Sequence, residues 1–309
     1  MNRWRSRLVA PASMLCVVAI AACGSSSSSS SSSSTSTVTT GAATKASSAI
    51  PAVEKLVPAA IKSKGTLTVA ADASYAPNEF IGSDGHTVVG MDADLANAIA
   101  AAMGLKANVV NATFDTIIPG LASGKYDMGA SSFTDTKARE KVVNFVDYFE
   151  AGTSFFTKSS GGTSVTGLSD LCGKTVSVES GTTEESDAQG QSAKCTKAGK
   201  PKVNVLVFPT QTAANLALSS GRAQISMADS PVAAYQVKQS NGAFKLVGPT
   251  YGTAPYGLAI PKTSGLAPAV LAAVMALMSN GTYTSILTKW GIESGALPAS
   301  EVKINGATS

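Results

Sequence analysis

Histidine is nearly missing from this chain. His86 is the only one in 309 residues, and it sits in a Ser83-Asp84-Gly85-His86 turn expected to be exposed. A nucleophilic triad needs that imidazole, or a lysine in its place, and no such arrangement is present. No His/Glu metal motif exists either, so the expectation is no catalytic residue, no metal and no cofactor. Long apolar runs are also lacking. Residues 8–22 are almost wholly apolar but short of the ~20 that a bilayer span requires, and no later stretch reaches it. Charged residues make up only 14% and aromatics 6%. The net charge of +4 is carried mostly by three arginines in the first seven residues. Without residues 1–22 the balance is 21 basic against 20 acidic side chains, and no basic stripe points to nucleic acid. Four cysteines are present, and only Cys172 and Cys195 lie beyond the first 23 residues.

What the N-terminus does contain is an address. A basic start, a short apolar core and Ile20-Ala21-Ala22 before Cys23 describe an export signal over 1–22. A cysteine directly after those small residues resembles the lipobox of bacterial lipoproteins, which implies an acylated (palmitate-bearing) Cys23. The alternative is an ordinary secreted protein with an incidental Cys23. Ten serines follow, Ser25 to Ser34, and residues 23–60 are expected to form a Ser/Thr-rich tether with nothing to bury. The predicted location is the extracytoplasmic face of the cell membrane, reached through the lipid. In that oxidising compartment Cys172 and Cys195 are expected to pair, closing a loop worth ~3 kcal/mol.

Beyond the tether, short strands alternate with amphipathic helices. Leu67, Val69 and Ala71 predict a strand ending near Asp72. Met91, Leu95, Ile99 and Met103 recur every four residues and stop at Gly104, which predicts a helix. Further strands are expected at 107–110, 127–131, 175–178, 203–208, 224–228 and 256–260. Helices are expected at 115–123, 136–143, 210–220 and 266–278, and another from a Ser230 N-cap with Pro231 at its first position. Strands separated by such helices imply an α/β fold with parallel sheets and ligands at the carboxyl ends of strands.

Those ends carry chemistry. Asp72 and Tyr75 follow the first strand, and Phe114 follows the second. Ser131, Ser132 and Thr134 follow the next, with Arg139 five residues on. Thr183 follows the first strand after Cys172, and Asp229 ends a strand in the same half. A guanidinium fork suits a carboxylate, Asp229 an ammonium, and the two rings an apolar ligand body. Each also has a plainer use. Arg139 on a Lys/Glu-rich helix is solvated, Asp229 starts a helix, the aromatics fill a core, and the hydroxyls bond backbone.

Six segments together reverse that balance. Asp72-Ala73-Ser74-Tyr75-Ala76-Pro77, Gly90-Met91-Asp92-Ala93-Asp94-Leu95, Thr113-Phe114-Asp115 through Leu121, Gly129 through Lys141, Ser180-Gly181-Thr182-Thr183 and Met227-Ala228-Asp229-Ser230 stand in order. The chain resembles the polar amino-acid-binding proteins of ABC importers over residues 65–293. The resemblance implies a periplasmic-binding-protein-like fold, with two α/β lobes joined by a two-stranded hinge and a ligand cleft between them. Lobe 1 would be 66–151 and 252–295, lobe 2 152–251, and the C-terminal tail 296–309, with hinge strands near 149–153 and 252–257. It implies that Tyr75 and Phe114 stack on the ligand. Arg139, with Ser131, Ser132, Thr134 and Thr183, would hold its carboxylate, and Asp229 its amino group.

Departures bear on the ligand. Met91 stands where many relatives carry an aromatic residue. Glu179 stands where a glutamine-binding relative has a lysine, and with Asp72 and Asp92 it would make the side-chain end acidic. The expected function is a monomeric, lipid-anchored binding protein that hands a polar L-amino acid, basic or amide, to an ABC permease. The alternatives are a cyclohexadienyl or arogenate dehydratase-like enzyme on the same fold, with Glu179 as its acid, and a ligand sensor without transport.

Overall fold

The computed structural model describes residues 48–307, so the export signal, Cys23 and the serine run lie outside the described residues. Order begins earlier than a tether to residue 60 allows. Helices α1 (Pro51–Glu54) and α2 (Ala59–Lys64) precede β1 (Thr66–Ala71). Val53 and Val57 are buried in the same core as Leu67 and Leu95, and this apolar contact outweighs the entropy of a free linker. A small antiparallel sheet follows, made of β2 (Ser74–Tyr75), β3 (Glu79–Ile81) and β4 (Val88–Val89). Then come α3 (Met91–Ala102), β5 (Lys106–Asn111), α4 (Phe114–Ala122) and β6 (Met128–Thr134).

The helix expected at 136–143 is one 3-10 turn, Arg139–Lys141. Val143 and Phe145 are fully buried and pair with Pro261 and Ala259, so the chain must already be extended there. The strand they open, β7 (Val143–Lys158), is followed by β8 (Thr175–Glu179), α5 (Thr183–Lys197) and β9 (Asn204–Phe208). Next are α6 (Gln211–Ser219), β10 (Ile225–Asp229), α7 (Ser230–Gln239) and β11 (Phe244–Pro261), and α8 (Ala267–Ser279) and α9 (Thr282–Trp290) complete the helices. Helix α7 starts one residue earlier than expected, with Asp229 in the capping position and Pro231 in its first turn.

One eight-stranded sheet has the order β5-β1-β6-β11-β7-β10-β8-β9. Its two ends are parallel triplets, as the strand–helix alternation requires. Its centre is the long antiparallel pair β7 and β11, which runs from one triplet to the other. Separate cores sit on the two sides. One gathers Leu67, Leu95, Ile99, Val270 and Leu287, and the other Phe155, Val176, Val178, Ile225 and Met227. The fold is thus two α/β lobes sharing two strands, and it exposes two sets of parallel strand ends to each other.

Cys172 and Cys195 are bonded, Cα–Cα 5.6 Å, tying the start of β8 to α5. The segment after residue 295 packs along β7, with bridges Phe149–Ala296 and Val146–Ile304 and with Leu297 and Val302 buried. Among the described residues no single helix is long and apolar enough to cross a membrane.

Candidate functional site

The strand ends of both lobes converge on one narrow cleft. Asp72, Tyr75, Phe114, Ser132, Thr134 and Arg139 line it from one lobe. Glu179, Thr182, Thr183, Glu184 and Asp229 line it from the other. Parallel strands bring this about, because each enters its helix at the same edge of the sheet.

Arg139 closes the cleft on one side. Its Nη1 donates to the Thr134 carbonyl at 2.8 Å and its Nη2 to the Gly181 carbonyl, in the opposite lobe, at 2.9 Å. The guanidinium lies over Phe114 and Phe133, 5.3 and 5.6 Å from the ring centroids. Burial lowers its pKa, opposed by the charges of Glu184 and Asp229. Gly181 has φ +79, and a Cβ there would come within 3.0 Å of Asp115 Cβ, so only glycine allows this approach.

Asp229 occupies a helix-capping position, but its carboxylate makes no cap bond. Instead Oδ2 accepts from the Tyr75 hydroxyl at 3.0 Å, and the Asp229 N–H donates back to the Tyr75 oxygen at 3.0 Å. Burial raises the Asp229 carboxyl well above the usual range, and Glu184 beside it pushes the same way. Glu184 is itself buried, accepting from the Thr153 hydroxyl at 2.6 Å and from the Thr183 hydroxyl at 3.2 Å.

A second acidic pair, Asp72 and Glu179, lines the same cleft. Asp72 accepts the Phe114 N–H at 2.9 Å and the Ser74 N–H at 3.0 Å. Glu179 accepts the Gln211 N–H at 3.0 Å and, more loosely, the Ser74 hydroxyl at 3.4 Å across the cleft. Burial raises the Glu179 carboxyl well above its ordinary value, and Asp72 is the next contributor. Burial raises Asp72 as well. Neither acid is within ion-pairing distance of a lysine or arginine among the described residues. The cleft thus joins a region where Arg139 and Asp229 act on each other to a region of two carboxyls, Asp72 and Glu179.

Two expected contacts are not in the lining. Ser131 is held behind the wall of the cleft, accepting the Asp72 N–H at 2.8 Å and donating to Glu79 at 3.0 Å. Asp92 is fully buried behind Ser132 and bonded to Tyr148, so it does not acidify the pocket. Conversely, Thr182 and Glu184 line the cleft and were not singled out from sequence. Thr182 is the N-cap of α5, accepting the Glu185 N–H at 3.1 Å, a signal that Thr-x-x-Glu spacing does carry.

The profile of the bacterial extracellular solute-binding proteins, family 3, matches residues 67–293. The chain belongs to that family. The arginine-binding protein ArgT of Corynebacterium glutamicum is 37% identical over 249 residues, covering 80% of this chain and 81% of the relative. An ancestral arginine-binding protein solved with arginine superposes with a TM-score of 0.67 at 39% identity, covering 73% of this chain and 98% of its own. An ancestral arginine-binding protein solved with glutamine gives 0.66 at 39%, covering 74% and 99%.

Proposed function

We propose that the protein captures a basic L-amino acid, arginine foremost, outside the cytoplasmic membrane and delivers it to an ABC permease. The observation that carries this is the division of the cleft. Arg139, Asp229 and Glu184 form an end suited to an α-carboxylate and α-ammonium. Asp72 and Glu179 form an acidic end suited to a second positive charge. The arginine-binding names of the relatives point the same way. The glutamine found in one neighbour keeps an amide ligand as the second candidate.

In this proposal Tyr75 and Phe114 cover the ligand body, Arg139, Thr134, Thr182 and Thr183 receive its carboxylate, and Ser132, whose two donors are held by Asp92, shapes the wall beside them. The ligand bridges lobe 1 (66–151 and 252–295) and lobe 2 (152–251), so closure is favourable only when it is present. Hinge motion would use the register shifts of β11 against β7 between Val247 and Ala254. A lipid on Cys23 holds the monomer at the membrane, and no cofactor or covalent step is needed. A dehydratase role for Glu179 is less favoured, because its Oε1 already accepts the Gln211 N–H.

A thermal-shift panel tests the proposal. A ligand at 100 times its dissociation constant adds ~2.7 kcal/mol of stability. Arginine, lysine and ornithine should stabilise, glutamine less and glutamate not at all. Stabilisation by acidic amino acids alone would overturn the assignment, and water loss from a prephenate-like substrate would revive the enzyme.

A further inference from the structure

Ser132 holds an unusual backbone conformation at the pocket wall. Its φ of +47° lies in the left-handed region, which a serine seldom enters, and the residue is buried. Its N–H donates to Asp92 Oδ2 at 2.6 Å, and its hydroxyl donates to the same oxygen at 3.0 Å. The hydroxyl oxygen also accepts from Asn78 Nδ2 at 2.9 Å and lies 3.4 Å from Glu79 Oε2. Glu79 and Asp92 are both 0% exposed and share this one hydroxyl.

The groups facing the two acids are Asp72 at the end of β1, Ser131 and Ser132 on β6, and Tyr148 on β7. None is a cation. The ion pairs among the described residues are Lys64–Asp127, His86–Asp84, Lys137–Glu140 and Lys289–Asp94, and none reaches this cluster. Two carboxylates buried side by side without a cation cannot both be charged. The donors decide which one is. Asp92 receives an N–H and two hydroxyls, from Ser132 and Tyr148, whereas Glu79 receives the Ser131 hydroxyl at 3.0 Å and only the remote edge of Ser132.

We propose that Glu79 is a neutral carboxylic acid donating to the Asp92 carboxylate, and that this pair is the positioning device holding Ser132 in place at the ligand pocket. Burial raises Glu79 well above the carboxylate range, and the Asp92 charge adds to it, which agrees with the geometry. Neither acid lines the cleft, so each acts through Ser132 and is a positioning residue. Affinity then depends on a proton that never touches the ligand. The inference rests on the amino-acid-binding role only for its affinity readout.

Purified protein and its Glu79→Gln variant would be compared with L-arginine by calorimetry from about pH 6 to about pH 10, and by infrared spectroscopy at neutral pH. Glutamine supplies a donor where the neutral acid has one, so E79Q should bind within about threefold of wild type at neutral pH. The ratio of the two affinities cancels titration of the ligand's own amino group, and it should turn against wild type as pH rises. The wild-type-minus-E79Q infrared difference should contain a protonated-carboxyl band. A folded E79Q that binds about tenfold or more weakly, or a difference spectrum showing only ionised carboxylate, overturns the proposal. Asp92→Asn, which loses the accepting anion, should weaken binding by about tenfold or more, and unchanged affinity there also overturns it. Should arginine not bind at all, the ligand assignment fails while the infrared comparison still decides the proton.

Discussion

Replacing Arg139 with alanine probes the centre of the proposed site. The guanidinium has five N–H donors, and the structure commits one to the Thr134 carbonyl and one to the Gly181 carbonyl. The remaining donors can serve a ligand carboxylate. Truncation leaves that carboxylate in a buried site with no charge partner, a loss of about 2–5 kcal/mol, or about 30- to 4,000-fold in dissociation constant. The bond to Gly181 crosses the cleft and exists only when the lobes are together, so its loss, about 1 kcal/mol, also disfavours closure. Calorimetry with L-arginine reads the sum, and melting of the ligand-free variant separates it from damage to folding. Arg139→Lys keeps charge but not the planar fork and should fall between. Affinity of R139A within about threefold of wild type, in a protein that melts normally, would remove Arg139 from the site.

Two further outcomes follow from features away from the ligand. Reducing the Cys172–Cys195 bond should cost ~3 kcal/mol of stability, seen as a lower melting temperature, and non-reducing peptide mapping should recover the linked pair; two free thiols would refute it. Asp147 is buried beside Asp135 with neither carboxylate oxygen hydrogen-bonded, and burial together with the Asp135 charge pushes it from 3.8 up to about 8. The folded state thus keeps a proton that the unfolded chain releases, so its contribution is full below about pH 4 and lost as pH rises to about 8. Asp147→Asn should flatten that decline in a melting series, and an unchanged slope would exclude Asp147 as its source.

The strand–helix alternation was legible because its signals are local. The four-residue apolar spacing from Met91 to Met103 appears as α3, and the helix expected at 210–220 appears as α6. The long strand β11 was legible only over 256–260. Its earlier part contains Pro249, Pro255, Gly248 and Gly252, which argue against a strand, and it is extended because β7 supplies a partner along its length. Glu184 was hidden for a similar reason. Next to Glu185 in a first helical turn, it has the usual pattern of a solvated dipole partner, and only Thr153 on β7 shows it facing inward.

By itself the amino-acid order determined which side chains end each strand, since pleat and helix periods are properties of neighbouring residues. It thereby placed Asp72, Phe114, Thr134, Glu179 and Asp229 at the edges where a ligand can bind. Tertiary structure alone decided which of those ends share a cleft and which charges stand together. Ser131 and Ser132 are adjacent in sequence and both reach Glu79, yet only Ser132, with its backbone in the left-handed region, also lines the pocket. The physical reason is distance. Burial and charge repulsion between Asp72 and Glu179, or between Glu79 and Asp92, arise only after packing has removed water from groups far apart along the chain.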